Sequence, residues 1–198
     1  MTVPPPVIVI AAYLLGSISF AVLVVRAKTG RDIRSEGSGN AGATNVLRSY
    51  GKKLALLVAF ADVAKGAAAV FLMRLVTADP RWAAAAGFAA ILGHVFPVFY
   101  GFRGGKGVAT AVGAFLALSP LALLVCLAVF LAIVAATRYV SLGSVVALAL
   151  LPPVAGLFFH APRAVVTVAG LTAILILVKH LPNLKRLARG EERKLGRR

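Results

Sequence analysis

Long apolar runs separated by short polar stretches organise this chain. Seven can be drawn, over roughly 7–25, 54–76, 82–100, 107–118, 120–137, 141–159 and 163–178. At about 1.5 Å rise per residue, nineteen helical residues reach roughly 28 Å, close to the ~30 Å hydrocarbon thickness of a bilayer. The run 107–118 reaches only about 18 Å and is too short to span alone. The pattern predicts an all-α, polytopic transmembrane bundle of about seven helices, one of them short. It forms a single integral-membrane domain over 1–198. Proline and its steric demand on the preceding residue break the chain at Ser119-Pro120, so 107–118 and 120–137 are separate elements.

Charge placement orients the bundle. The stretch 26–53 carries seven basic residues, Arg26, Lys28, Arg31, Arg34, Arg48, Lys52 and Lys53. A second loop carries Arg103 and Lys106, and Arg138 stands alone between two runs. The tail carries eight more: Lys179, Lys185, Arg186, Arg189, Arg193, Lys194, Arg197 and Arg198. With the N-terminus outside and seven crossings, all of these face the cytoplasm, as the positive-inside rule asks. Joining 107–137 into one helix would flip the parity and send the basic tail outside. The motif loops, about 26–53, 100–107 and the C-terminal 179–198, are thus expected on the cytoplasmic side. No basic residue precedes Val7–Val25, so that run reads as a retained helix rather than a cleaved leader.

Composition narrows the class. The chain is 60% hydrophobic, against about 45–50% for a soluble domain. Its net charge of +16 lies in loops and tail, which fits anionic lipid rather than nucleic acid. The single cysteine, Cys126, sits in an apolar run, which leaves no intrachain disulfide and no cysteine metal cluster. Neither a cofactor nor a metal is expected.

Two glycine-rich loops carry the candidate chemistry. The first, Ser35 to Arg48, holds Gly37, Gly39 and Gly42 with Ser38, Asn40, Thr44 and Asn45. Successive backbone N–H groups in such a loop can cradle an anion. The polar side chains add hydrogen bonds, and Arg48 adds a bidentate cation. A flexible linker would account for the glycines but not for the density of Asn, Thr and Arg. The second loop, Gly101-Phe102-Arg103-Gly104-Gly105-Lys106-Gly107, opens into the short run that begins Val108-Ala109-Thr110. A Walker A loop would need glycine at Tyr100 and Ser or Thr at Gly107, so a nucleotide site loses its support. Because the following helix is short, this loop is expected below the cytoplasmic surface. Irregular backbone is tolerated there only in protein or a wet cavity. A half-length helix aiming its positive end at an anion is one solution.

Other polar residues are less decisive. His94 reads either as a satisfied helix-end histidine or as part of the second motif. Asp62 and Lys65 share a helix face and read chiefly as a structural pair, with a substrate or proton role as the alternative. Leu181, Leu184 and Leu187 with Lys185, Arg186 and Arg189 make an ordinary amphipathic tail helix. That reading does not account for His180 and Pro182-Asn183. From Gly190 onward the chain is expected to fray or lie on the membrane surface.

Three stretches together resemble the acyl-phosphate-dependent glycerol-3-phosphate acyltransferases of bacteria, the PlsY family. They are Gly37-Ser38-Gly39-Asn40-Ala41-Gly42-Ala43-Thr44-Asn45 with Arg48, then Gly93-His94 through Pro97 to Arg103-Gly104-Gly105-Lys106-Gly107-Val108-Ala109-Thr110, and His180, Asn183, Arg186, Gly190 and Glu192 in the tail. Arg103 stands where lysine is common in that family. The resemblance implies a multipass enzyme of the bacterial inner membrane with its site facing the cytoplasm. Its partners would be membrane lipid, a fatty acyl phosphate and glycerol 3-phosphate, whose 1-hydroxyl is acylated to give lysophosphatidic acid and phosphate. This is the first acylation of phospholipid biosynthesis. The implied catalytic residues are Ser38, Arg48, Lys106, His180 and Asn183. The implied binding residues are Gly37, Gly39, Asn40, Gly42, Thr44, Asn45, His94, Gly104, Gly105, Gly107, Thr110 and Arg186. His180 is the candidate general base or else a positioning residue. Arg186 and Glu192 are expected to pair and hold the tail against the loops.

Two other readings compete. A transporter or channel for an anionic metabolite fits the sunken loops equally well but needs no acyl-chain access. A CDP-alcohol phosphotransferase would want clustered aspartates, whereas Asp32, Asp62 and Asp79 are scattered.

Overall fold

The structure, a computed structural model, describes residues 3–196. Among these it contains nine α-helices: α1 Pro5–Gly16, α2 Phe20–Thr29, α3 Ala43–Tyr50, α4 Lys52–Val76, α5 Pro80–Val95, α6 Val108–Leu118, α7 Pro120–Thr137, α8 Val140–Pro153 and α9 Arg163–Ala188. Six segments are long and apolar enough to cross a membrane, with α1 and α2 counting as one. The short α6 is the seventh apolar segment. The helices group into two compact units, one ending at Leu118 and the other beginning at Ser119, the break expected at Ser119-Pro120.

Three details differ from the sequence pattern. The first apolar run is not one helix: it breaks at Ser17-Ile18-Ser19 between α1 and α2. Ser17 and Ser19 are buried, so the break lies inside the protein, where irregular backbone is tolerated. The last apolar run extends through Pro182 to Ala188, ten residues past its expected end. A proline within a helix forfeits one backbone bond and does not always end it. The chain after Gly190 folds back instead of fraying. Leu195 N–H donates to the Arg138 carbonyl at 2.7 Å, and Arg138 Nε donates to the Leu195 carbonyl at 3.1 Å. Arg197 and Arg198 lie outside the described residues.

In the first unit the long helices follow the membrane pattern of small residues inside and large apolar residues outside. On α4, Ala55, Val58, Gly66, Ala69 and Val70 are buried, while Leu56, Phe60, Phe71 and Leu75 are exposed. The inner face is so closely packed that backbones touch. A Cβ on Gly113 of α6 would strike the Val63 carbonyl of α4, and one on Gly66 would strike the Thr110 carbonyl of α6. The same closeness joins α1 to α5, where a Cβ on Gly93 would strike the Tyr13 carbonyl. At the α2 end, Val22, Val25, Val46, Ala55 and Val58 bury Ile33 and Ala41, which anchors the first glycine loop to the helices.

In the second unit, α8 packs against both α7 and α9. A π-helical turn, Val154–Phe158, prolongs α8.

The glycine contact is directly testable. Gly113→Val should destabilise the protein by about 1–3 kcal/mol or prevent folding, because it must displace α4 backbone. At Gly170 of α9 a Cβ would meet nothing within 4 Å. Gly170→Ala should therefore leave the thermal melt in detergent unchanged or slightly raised.

Candidate active site

The first loop is organised around one buried side chain. The Asn45 amide nitrogen donates to the carbonyls of Glu36 at 2.9 Å, Asn40 at 3.1 Å and Ile33 at 3.2 Å. Its oxygen accepts from Ser38 N–H at 3.0 Å. Asn45 is thus committed to folding the loop, whereas the sequence suggested direct contact with substrate. Gly37 and Gly39 take positive φ, 59° and 71°, which lets the chain turn tightly around that amide. Ser38 is exposed, and Asn40, Gly42, Thr44 and Arg48 are half-buried on the loop and α3.

Several amides expected to form an anion nest already have partners. Gly39 N–H donates to Glu36 O at 2.9 Å, Gly42 N–H to Asn40 O at 3.0 Å and Gly105 N–H to His94 O at 3.1 Å. These three amides are therefore not among those left to meet an anion.

An arginine clamp joins the two loops. Arg34 makes a bidentate pair with Asp32, Nη2 to Oδ2 at 2.7 Å and Nε to Oδ1 at 3.1 Å. Its Nη1 donates to the Tyr100 carbonyl at 3.1 Å, and the guanidinium lies 5.5 Å from the Tyr100 ring centroid. Hydrogen bonding from Arg34, opposed by partial burial, holds the Asp32 carboxyl below the usual carboxylate range. Between the loops lies an open cleft of about 780 Å³, lined by Asp32, Arg34, Ser35, Gly39, Tyr100, Gly101, Arg103 and Gly104. That is ample room for a small phosphorylated molecule. With Arg34 neutralised by Asp32, Arg103 carries the uncompensated charge of this lining.

The second loop rests on a buried histidine. A Cβ on Gly105 would strike the His94 Nε2 atom and lie 2.8 Å from the Ala41 carbonyl, so only glycine fits where the two loops meet. His94 is 6% exposed and stands behind the loop, not on the cleft wall. Its Nδ1 lies 3.4 Å from Asp62 Oδ1, which is also 2.8 Å from Lys65 Nζ. Neither approach is aligned as a hydrogen bond, and the Lys65 ammonium is the nearer of the two to that oxygen. Lys65 Nζ donates to the Ile18 carbonyl at 2.8 Å, at the break between α1 and α2. Asp62 and Lys65 are thus the pair their spacing suggests. Thr110 is also fully buried, on α6 against α4, and its hydroxyl has no hydrogen-bond partner. Neither His94 nor Thr110 lines the cleft. Lys106 is half-buried, and Gly107, with φ 88°, begins the turn into α6.

The tail residues form a separate cluster in the second unit. His180 is buried, its Nδ1 2.8 Å from the Ile176 carbonyl. A carbonyl only accepts, so Nδ1 is the donor in this bond. Asn183 Nδ2 donates to Glu192 Oε1 at 2.7 Å, Ser141 Oγ donates to the same oxygen at 2.9 Å, and Arg186 Nε donates to Oε2 at 2.9 Å. The expected Arg186–Glu192 pair is present, and what it closes on is the start of α8 in its own unit. Burial disfavours the Glu192 charge, but bonds from Asn183, Arg186 and Ser141 outweigh it and hold the carboxyl below its usual range.

A family model described as glycerol-3-phosphate acyltransferase matches residues 6–190. The chain belongs to the glycerol-3-phosphate acyltransferase family. The curated glycerol-3-phosphate acyltransferase of Geobacter sulfurreducens is 49% identical over 185 residues, covering 91% of this chain and 92% of that one. That of Halorhodospira halophila is 47% identical over 190 residues and 96% of each chain. A crystal structure of PlsY, an integral membrane glycerol 3-phosphate acyltransferase, in its glycerol 3-phosphate form gives a TM-score of 0.91 at 41% identity, covering 97% of this chain and 96% of that chain. Its lysophosphatidic acid form gives 0.88 at 39% identity, with 97% and 95% covered. The chain is therefore a multi-pass membrane acyltransferase, and the transporter reading is disfavoured.

Sequence reasoning overlooked two parts of this acyltransferase. The Asp32–Arg34 clamp had a faint signal, an Asp-x-Arg step beside a glycine loop. Ser141 had none, because a serine near the start of an apolar run is common.

The Glu192 clasp makes a pH prediction. A carboxyl held below its unfolded value of about 4.3 stabilises the fold above that pH and loses the contribution as pH falls through the lower folded value. The protection factors of the Glu191 and Leu195 amides, taken against intrinsic exchange at each pH, should therefore fall on acidification below about pH 4. In Glu192→Gln the same amides should exchange faster at neutral pH, with no such acid step.

Proposed function

We propose that the chain transfers a fatty acyl group from an acyl phosphate to the sn-1 hydroxyl of glycerol 3-phosphate, releasing lysophosphatidic acid and inorganic phosphate. The observation that carries this reading is the arginine-lined cleft between the two glycine loops, in a chain similar throughout its length to a protein solved with glycerol 3-phosphate and with lysophosphatidic acid. Both substrates carry a phosphate, which suits a site rich in cations.

In the proposed reaction the hydroxyl oxygen attacks the acyl carbonyl carbon. The bond from that carbon to the phosphate oxygen breaks, and phosphate departs with the electron pair. Phosphate is a good leaving group, so no covalent enzyme intermediate is needed. Lys106 and Arg48 hold phosphate and offset the charge on the developing oxyanion. Ser38, Thr44 and Asn40 supply hydrogen bonds from the first loop. His180, whose Nδ1 lies 2.8 Å from the Ile176 carbonyl, takes the hydroxyl proton or else positions the hydroxyl. Asn183, oriented by Glu192, positions a reacting oxygen. Arg186 serves substrate binding with its exposed guanidinium, and the buried Asn45, His94 and Thr110 serve it by holding the loops in place.

We further assign the enzyme to the bacterial inner membrane, working as one domain over 1–198. The N-terminus lies outside and the motif loops and tail face the cytoplasm. Seven apolar segments and the placement of Lys and Arg support this orientation.

Purified protein given palmitoyl phosphate and glycerol 3-phosphate should form lysophosphatidic acid, and acyl-CoA or acyl carrier protein should not replace the acyl phosphate. No product from the acyl phosphate would defeat the reading. His180→Ala should lower turnover at least about a hundredfold, as loss of a general base does; near-normal turnover would remove the base assignment. A cysteine placed at Gly196 should resist a membrane-impermeant thiol reagent in intact cells, and ready labelling would reverse the topology.

A further inference from the structure

Asp62 and Lys65 are fully buried charges that the proposed reaction does not use. Each side chain is 1% exposed. A charge pair inside a membrane bundle is costly, and an apolar pair of similar size would serve packing as well or better. Its retention calls for something the pair does. Its contacts run in two directions. Lys65 Nζ holds the Ile18 carbonyl, which the break between α1 and α2 leaves without a helical partner. Asp62 Oδ1 faces His94 Nδ1 at 3.4 Å. The far side of the His94 ring, Nε2, lies against the bare Cα of Gly105, whose N–H is bound by the His94 carbonyl at 3.1 Å. Gly105 precedes Lys106, the lysine of the second loop. The chain of contacts therefore runs unbroken from the broken helix to the phosphate-handling loop.

We propose that Asp62 and Lys65 are positioning residues for the second glycine loop: the pair fixes the His94 ring, and the ring sets the height of Gly105 and so of Lys106 beside it. His94 belongs to this support. Asp62 Oδ1 lies 3.4 Å from Nδ1 on one side of the ring and Gly105 lies against Nε2 on the other, so the ring is held between them. Apolar packing alone would leave the ring free to flip, and a flipped ring would present carbon where nitrogen now meets the loop. This inference rests on the acyl-transfer reading above.

The test compares wild type with Asp62→Asn/Lys65→Met, which removes both charges together and leaves neither unpaired. Glycerol 3-phosphate is varied at saturating palmitoyl phosphate, and each protein is melted in detergent. The inference expects KM for glycerol 3-phosphate to rise at least about tenfold in a protein that still melts cooperatively, at a temperature lowered by the loss of the Lys65 bond to the Ile18 carbonyl. A folded double variant with unchanged KM overturns it, whether or not kcat falls, because the pair would then be structural only. Should the variant fail to fold, wild type labelled with ¹⁵N-histidine decides the matter. His94 should show a protonated Nδ1 and shift along a saturation curve as glycerol 3-phosphate is added. An unprotonated Nδ1, or resonances unmoved at saturation, overturns the inference. Absence of acyl transfer by wild type would instead refute the function, so the two failures are distinct.

Discussion

Helix α6 can stand where it does only because Gly66 and Gly113 have no side chains. Their absence lets α4 and α6 meet backbone to backbone. Water provides no drive for helices to associate within lipid, so close contact of this kind has to supply it. Everything on the catalytic side follows from that approach. An eleven-residue helix covers only about half of a bilayer. Pressed against α4, it begins at Val108, with Gly107, Lys106 and Gly105 immediately before it. The loop is thereby presented to the α4 residues Asp62 and Lys65 through His94, and to the first loop through Ala41.

The two loops are held by different means. The first is folded from within, by a single Asn45 amide bonded to its own backbone, and is anchored below by Ile33 and Ala41. The second makes fewer bonds of its own and is supported from behind by His94. Arg34 ties them at the rim through Tyr100. A loop whose amides are already occupied is stiff, which favours a fixed place for ligand over a flexible wrap.

The apolar segments and their placement were legible in the sequence because a long apolar run in lipid can satisfy its backbone from within only by coiling into a helix. The short α6 was legible through its length and through Ser119-Pro120. The site motifs were legible as motifs, since Gly, Asn, Thr and Lys at that density do not suit lipid or packing. What remained hidden was direction. Spacing cannot tell whether Asn45 and His94 face substrate or support the loop, because both uses require the same polar atoms. The break at Ser17-Ile18-Ser19 was hidden because serine, isoleucine and glycine also occur in unbroken membrane helices, and the partner that stabilises it, Lys65, is 47 residues away. The fold-back of the tail was hidden because its contacts with Arg138 run through backbone.

The broken first span ties together positions that lie far apart in the chain. Ile18 offers a carbonyl that needs a donor, Lys65 supplies it, and a buried lysine needs Asp62. A lineage that straightened α1 into α2 would lose the use of the lysine and inherit an unsatisfied aspartate. One that replaced the aspartate first would strand the lysine. Substitutions here can therefore accumulate only as a set, so sequence change at the break and in the middle of α4 should be correlated across descent. The kink and the charge pair are one heritable unit.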